Sequence, residues 1–216
     1  MVELDFAVVD VEVEPHAMSP QLVFGLRVAN RTPAVAILNI MLNCQLRIEP
    51  ARRAYGKAEH DRLSDLFGAP DRWGQTLLSF LWTHASVSVP AFDAECVVGL
   101  RAPCSFDFNV AATKYFGGLE QGEVPLSFLF SGSVFYRDED GQMQIGQIDW
   151  SKETRFRLPI AVWRGMMERY YPNSVWLRLD RDVFDALHRY KRQKGLPTFE
   201  LALKSLVEGE LASLSP

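Results

Sequence analysis

Apolar and polar residues alternate along most of the chain, from about residue 4 to residue 158. The clearest stretch is Leu38 to Glu49, where every even position is apolar and every odd position except Met41 is polar. Because successive side chains of a strand point to opposite faces of a sheet, this pattern predicts a long strand with one buried face. The alternation changes phase at Val8 and Val9, which predicts a β-bulge or a switch of sheet at this point of the first strand.

The same alternation predicts further strands in the rest of this region. They are centred on residues 22–28, 85–89, 96–100, 106–110, 124–136 and 142–150. Asp138-Glu139-Asp140-Gly141 predicts a hairpin turn between the last two, since Asp-Gly readily adopts the positive φ that such turns require. About eight strands at this spacing favour an antiparallel β-sandwich of immunoglobulin-like architecture.

Beyond Phe156 the hydrophobic period becomes about 3.6 residues, as is typical of amphipathic helices. Three helices are predicted there, beginning near Pro159, Asp180 and Thr198. Gly195 predicts the end of the second helix, because glycine accommodates the left-handed conformation that follows many helices. The chain therefore ends in a helical region.

These patterns predict an α+β protein in two parts. Residues 1–158 are expected to form the β-sandwich domain, with a helical insertion near 57–80. Residues 159–216 are expected to form C-terminal helices packed on the sandwich. A chain of 216 residues is long enough for one domain of this size with an appendage.

Composition and charge exclude several classes of protein. The net charge of −4 gives no overall attraction to nucleic-acid backbones or anionic membranes. The first residues have neither the basic nor the apolar segment of a secretory signal, and no apolar run reaches the roughly 18 residues of a membrane span. Three cysteines are too few, and odd in number, for a secreted disulfide framework. We therefore expect a cytoplasmic protein.

The sequence contains no recognisable motif of catalysis or nucleotide binding. The nearest approach to a nucleophile elbow, Phe130-Ser131-Gly132-Ser133-Val134, lies within a predicted strand, whereas the elbow needs a strand-to-helix turn. Gly132 instead predicts a bulge or a close approach of two strands. The residues that could bind a metal lack the spacing of metal ligands: Cys44, Cys96, Cys104 and His84. We predict no catalytic residue and no cofactor, with a metal- or small-ligand-binding protein as an alternative.

A basic and aromatic segment is the candidate protein interface. It comprises Arg47, Arg52, Arg53, Tyr55, Arg72 and Trp73. Arginine and aromatic side chains are favoured at the energetic centres of interfaces. The alternative is a solvated edge with ion pairs to Glu49 and Asp61. The leading hypothesis is therefore a non-enzymatic protein-interaction or assembly accessory protein, and a homo-oligomer is compatible with it.

The tail contains a second candidate binding segment. Val175 to Asp180 alternates like a short strand and precedes two predicted helices that are joined by Gly195-Leu196-Pro197. This order resembles a ribbon-helix-helix unit, whose dimers place a two-stranded ribbon in the major groove of DNA. In such a unit Trp176 and Arg178 would face the groove. A DNA-binding regulator is therefore an alternative hypothesis, although the acidic net charge makes nucleic acid an unfavoured partner.

Several stretches resemble an uncharacterised bacterial family that is often encoded near nickel–iron uptake hydrogenases. The stretches are spread over nearly the whole chain: Cys44 to Pro50, Leu66 to Gly74, Val124 to Tyr136, Leu158 to Trp163 and Trp176 to Asp182. The resemblance supplies no activity and no functional residues. It implies an accessory or assembly protein, with hydrogenase components as its partners.

Overall fold

The structure is a computed structural model that describes residues 2–104, 110–174, 177 and 179–214. The chain divides into two compact units, Met1–Ser174 and Val175–Pro216. The first unit contains two antiparallel sheets and the helices that pack on them, and the second contains a pair of helices. Among the described residues, no helix is both long enough and apolar enough to cross a membrane.

The smaller sheet has three strands in the order β1-β2-β5. These strands are β1 (Leu4–Val13), β2 (Gln21–Asn30) and β5 (Glu95–Pro103). The register between β1 and β2 shifts between Val8 and Asp10, so the predicted bulge is confirmed. Because of the bulge, the apolar positions on both sides of it face the core, while Asp10 accepts a hydrogen bond from the Gly25 N–H at 3.1 Å.

The larger sheet contains the other five strands. They are β3 (Ala36–Ile48), β4 (Phe80–Val89), β6 (Glu123–Arg137), β7 (Met143–Gln147) and β8 (Glu153–Pro159). The order is β4-β3-β6-β7, and β8 also pairs with β6. The long β6 pairs with β8 through its first half and with β7 through its second half. The strand predicted at 142–150 is β7, which ends at Gln147, and β8, where the chain returns to the sheet at Glu153, was not predicted as a separate strand.

Aromatic side chains from both sheets fill the space between them. Phe6 of β1 stacks on Phe130 of β6 with ring centroids 4.4 Å apart. Phe24 of β2 meets Phe128 of β6 edge to face, with centroids 5.1 Å apart. Aromatic pairs in these arrangements contribute stability beyond their buried area. The α+β class and the sandwich of antiparallel sheets are thus confirmed.

Within the described residues, the first unit also contains four helices, and the tail contains two more. They are α1 (Lys57–Phe67), α2 (Trp73–Thr76), α3 (Val110–Gly118), α4 (Ile160–Tyr170), α5 (Arg181–Gln193) and α6 (Phe199–Leu214). Short 3-10 helices at Pro50–Arg52 and Pro70–Arg72 flank α1. Of the strand predicted at 106–110, only Val110 lies within the described residues, and it begins α3.

Local sequence signals account for the ends of the tail helices. The Thr198 hydroxyl accepts the Leu201 N–H at 3.2 Å, which caps the start of α6 as predicted. Gly195 follows α5 with a φ of 65°, where a glycine has no steric penalty. Earlier in the chain, the Tyr170 hydroxyl of α4 donates to the Ala17 carbonyl at 2.7 Å, and this bond joins α4 to the β1–β2 connection of the first unit.

Candidate functional site

The structure brings three residues of the predicted interface together, since the Tyr55 ring lies 5.0 Å from the Arg53 guanidinium and 5.1 Å from the Trp73 ring, and it places the three other arginines in different surroundings. Arg53 and Trp73 are almost fully buried, and Tyr55 is half-buried beside them. Arg47 is half-buried on β3, where its Nε donates to the Ser79 Oγ at 3.0 Å. Arg52 and Arg72 are exposed. These side chains therefore have different surroundings, and partner binding at this segment stays a prediction.

An ion pair between Arg53 and Glu59 lies inside the protein, with the two side chains 9% and 5% exposed. The Arg53 Nη2 lies 2.9 Å from the Glu59 Oε1. The same carboxylate accepts the Gly56 N–H at 3.0 Å and the Glu120 N–H at 2.9 Å. Burial alone would raise the pKa of Glu59, but these two N–H groups and the Arg53 guanidinium outweigh it and lower the pKa. The pair joins the start of α1 to the segment that follows α3.

Tyr55 and Tyr115 form a second polar contact next to this pair. The Tyr55 hydroxyl donates to the Pro50 carbonyl at 2.7 Å and lies 2.8 Å from the Tyr115 hydroxyl. Since the Tyr55 proton is used in the first bond, Tyr115 is the donor in the second. Burial raises the pKa of Tyr55 to about 12, and it raises the pKa of Tyr115 as well. Both phenols therefore stay protonated at neutral pH and are unsuited to act as bases.

Arg52 belongs to an open groove of about 230 Å³ at the pairing of β6 with β8, here called the arginine groove. Three arginines and three apolar residues line it: Arg52, Arg155, Arg157, Pro125, Leu126 and Phe156. The arginine side chains are 45%, 60% and 61% exposed, respectively. In the part of the chain that the structure describes, no carboxylate lines this groove. The guanidinium groups are its exposed part, since Pro125 and Leu126 are buried and Phe156 packs on Phe24 in the core.

Each arginine of the groove lies near one glutamate, but each of these contacts is either exposed to solvent or close to 4 Å long. Arg155 lies 3.3 Å from Glu153, whereas the contacts of Arg157 with Glu123 and of Arg52 with Glu49 are 3.9 Å long. Ion pairs of this kind contribute about 0–1 kcal/mol, because water screens them and the side chains lose entropy. The guanidinium groups can therefore exchange these neighbours for stronger partners at little cost.

Sequence reasoning missed two of the three arginines in the groove. Arg155 and Arg157 occupy alternate positions of β8, so their side chains leave the strand on the same face. Their proximity to Arg52 depends on the register of β6, which pairs Pro125 with Arg157. The only sequence signal for the groove was the alternation of arginine at positions 155 and 157. Without the pairing of β6 with β8, this alternation indicates only a solvent-exposed face of a strand.

Cys44 and His84 lie on different sides of the larger sheet, whereas Cys96 is in β5 of the smaller sheet and Cys104 follows that strand. Cys44 is buried on the core face of β3, whereas the exposed His84 is on β4 opposite Gln45, one position out of phase with Cys44. Burial raises the pKa of the Cys44 and Cys104 thiols to about 12. Across residues 2–104, 110–174, 177 and 179–214, no three His, Cys, Asp or Glu side chains are grouped as metal ligands would be.

Cys96 is expected to react with a thiol reagent much faster than Cys44 or Cys104. Cys96 is half-buried, whereas the other two are 1% and 7% exposed, and only thiolates react rapidly. Reaction of the native protein with dithionitrobenzoate should therefore label Cys96 first, and Cys96→Ser should remove this phase. Rapid labelling of more than one thiol in the native protein would contradict the burial seen here.

The candidate DNA-reading residues, Trp176 and Arg178, lie outside the described residues. The helices that follow are described, and the connection between α5 and α6 spans residues 194–198. Residues 175–194 include six Lys or Arg and three Asp, which makes this segment locally basic. DNA binding by the tail stays a prediction.

The fold and its surface define an α+β β-sandwich protein with an open arginine groove and a separate helical tail. The chain belongs to the family of unknown function DUF6084, whose model matches residues 1–214. The resemblance to an uncharacterised family is thereby confirmed, and the match includes the tail. No curated protein matches the chain.

Proposed function

We propose that this protein is a non-enzymatic interaction protein that binds an acidic segment of a protein partner in the arginine groove. The observation that carries the proposal is the convergence of Arg52, Arg155 and Arg157 on one open groove. Arg52 is about 100 residues from Arg155 and Arg157 in the chain, yet all three guanidinium groups are exposed at one place. Such a surface attracts carboxylates by charge.

The chemistry of the groove favours a peptide segment over a small molecule. Guanidinium groups bind carboxylates through two parallel hydrogen bonds, and arginine and aromatic residues dominate binding energy at interfaces. Pockets for small ligands usually enclose about 300–1,000 Å³, and this groove is smaller and open. An acidic segment would place its carboxylates on the three guanidinium groups and pass over the backbone of β6 and β8, because Leu126 is 1% exposed and Phe156 packs on Phe24 from the other face of β8.

A component of a nickel–iron hydrogenase system is the partner that we propose. Support for this identity comes from the resemblance of five stretches, among them Cys44 to Pro50 and Val124 to Tyr136, to a family often encoded near such hydrogenases. An accessory protein that holds an acidic segment of an immature subunit needs a binding surface and no catalytic group. The groove supplies a surface of that kind.

Reversing the charge of the groove is expected to abolish binding. The combined change Arg52→Glu, Arg155→Glu and Arg157→Glu should weaken binding of a fluorescent peptide of alternating Glu and Leu by 100-fold or more, since each interfacial arginine is worth about 1–2 kcal/mol. Fluorescence anisotropy measures this affinity, and salt should weaken binding to the wild-type protein. Arg27→Glu, at an exposed position of β2, is the control for reversing a charge outside the groove.

Purified subunits of a nickel–iron hydrogenase from the same organism test the identity of the partner separately. If both the peptide and a subunit bind the wild type and fail to bind the triple variant, the groove and the partner are both supported. If only the peptide binds, the groove is supported and the hydrogenase is rejected as partner. If the triple variant binds as tightly as the Arg27→Glu control, the groove is not the binding site.

A further inference from the structure

We infer that the arginine groove binds a phosphorylated side chain of the partner's segment, and that the Ser127 hydroxyl donates a hydrogen bond to its phosphoryl group. The inference rests on the proposed function, because it names the group that the segment presents to the groove. It starts from Ser127 of β6, which is 5% exposed and pairs with Arg155 of β8.

The hydroxyl of Ser127 differs from the other buried polar groups. In the part of the chain whose structure is described, the buried polar or charged residues are Asn30, Glu59 and Ser127. The Asn30 amide donates to the Val35 and Asp93 carbonyls at 2.8 and 3.1 Å, and the Glu59 carboxylate accepts the bonds given above. Among the same described residues, the Ser127 hydroxyl has no hydrogen-bond partner. Because an unpaired buried hydroxyl costs free energy, this group is available to a ligand.

Strand pairing places Ser127 at the edge of the arginine groove. Its direct neighbour on β8 is Arg155, and its direct neighbour on β3 is Arg47. Residues that are directly opposite in an antiparallel pair lie on the same face of the sheet, with Cβ atoms about 4.5–5.5 Å apart. Arg157 is on this face as well, because it pairs with Pro125, two residues before Ser127. The hydroxyl therefore lies among the arginines of the groove.

The two arginines beside Ser127 are held differently. Arg47 is half-buried, and its guanidinium donates to the Ser79 Oγ at 3.0 Å and to the Ser79 carbonyl at 3.1 Å. The Arg155 side chain is 60% exposed, and its 3.3 Å contact with Glu153 is open to solvent. Arg155 can therefore turn toward a ligand that enters from the groove, while Arg47 keeps its bonds to Ser79.

A phosphoryl group fits this set of donors better than a carboxylate does. A carboxylate has two oxygens, and the fork of one guanidinium group occupies both of them. A phosphate monoester has three strongly accepting oxygens and a charge of about −1.5 to −2 at neutral pH. It can accept bonds from Arg155, from Arg157 and from the Ser127 hydroxyl at the same time. Proteins that bind phosphorylated segments commonly use clusters of arginine in this way.

Three fluorescent peptides of alternating Glu and Leu test the inference, and they differ only at one central acidic position, which is Glu, phosphoserine or serine. At neutral pH we expect the wild type to bind the phosphoserine peptide about tenfold or more tightly than the Glu peptide, as measured by fluorescence anisotropy. Ser127→Ala should reduce this preference by about fivefold or more and leave the affinity for the Glu peptide unchanged. Ser131→Ala, at an exposed serine on the same face of β6, is the matched control and should keep the preference.

Two further measurements complete the test. Inorganic phosphate alone should bind about 100-fold more weakly than the phosphoserine peptide by isothermal titration calorimetry, because it lacks the contacts of the segment. Equal affinities would assign the site to the free anion and overturn the inference. Ser127→Ala should unfold at the same urea concentration as the wild type, since its hydroxyl has no internal bond to lose. A lower midpoint would assign the hydroxyl a partner within the fold and would also overturn the inference.

The peptides separate this inference from the proposed function. If the phosphoserine peptide binds no more tightly than the Glu peptide, or if Ser127→Ala keeps the full preference, the phosphoryl site is rejected while binding of an acidic segment stands. If the phosphoserine peptide binds and the Glu peptide does not, the phosphoryl site is supported and recognition of carboxylates is rejected. If the wild type binds none of the three peptides, both are rejected.

Discussion

Replacing Gly132 with alanine is expected to destabilise the protein by about 3–5 kcal/mol. Gly132 lies within β6 at a φ of 139°, a conformation that residues with a side chain rarely adopt. A Cβ atom at this position would lie 2.0 Å from the Met41 carbonyl oxygen of β3. The obstacle is main chain, so no change of rotamer can relieve the overlap. The larger sheet would have to open where β3 and β6 pair.

Gly165→Ala is the matched control for this substitution. Gly165 lies within α4, and a Cβ there would meet nothing within 4 Å. Alanine in a helix interior is about 1 kcal/mol more favourable than glycine, so this variant should be slightly more stable than the wild type. Urea unfolding followed by tryptophan fluorescence measures both changes. An unfolding midpoint for Gly132→Ala close to that of the wild type would contradict the packing of β3 on β6.

Features of the fold that depend on neighbouring residues were readable from the sequence. The phase change at Val8 and Val9 predicted the bulge, because a strand must keep its apolar side chains on the core face. A glycine inside the strongly apolar β6 predicted the close approach at Gly132. Capping by Thr198 and the turn at Gly195 were predicted on equally local grounds. In each case the residue type and its immediate neighbours determine the geometry.

Features that depend on long-range pairing were not readable. β8 pairs with the first half of β6 and β7 with its second half. No local sequence pattern shows that β6 pairs with two strands along the same edge. The arginine groove depends on that pairing. The burial of Arg53 could not be predicted either. An arginine next to Arg52 looks solvent-exposed in the sequence, and only the connection between α3 and β6 covers it. A local signal did exist in Gly56 and Glu59, whose spacing is that of a capping box.

Glu59→Ala is expected to lower the free energy of unfolding by about 3–5 kcal/mol. The substitution would leave the Arg53 guanidinium buried without its carboxylate. It would also remove the acceptor of the Gly56 and Glu120 N–H groups. An uncompensated buried charge costs far more than the loss of an exposed pair, because water cannot replace the missing partner.

An exposed pair nearby provides the control for Glu59→Ala. Glu120 contacts Arg62 at 3.0 Å, and both side chains are nearly half exposed. Glu120→Ala should therefore change the free energy of unfolding by less than about 1 kcal/mol. Replacing both Arg53 and Glu59 with leucine should cost less than Glu59→Ala alone, since no charge is then left buried. Chemical unfolding of the three variants measures these differences, and equal losses for Glu59→Ala and Glu120→Ala would contradict a buried pair.

The stability that Glu59 provides is expected to disappear in acid. Its pKa in the folded protein lies below the ordinary value of 4.5, because the N–H groups and Arg53 outweigh burial. A carboxyl group whose pKa falls on folding stabilises the protein above its unfolded pKa, and this contribution is lost as the pH falls through the folded pKa. The difference in unfolding free energy between the wild type and Glu59→Gln should therefore be constant near neutral pH and shrink below about pH 4.

A difference that stays constant into strong acid would show that Glu59 contributes by packing alone. Exposed carboxyl groups with lowered pKa, such as Asp138 and Asp149, are present in both proteins, so their effect cancels in the comparison.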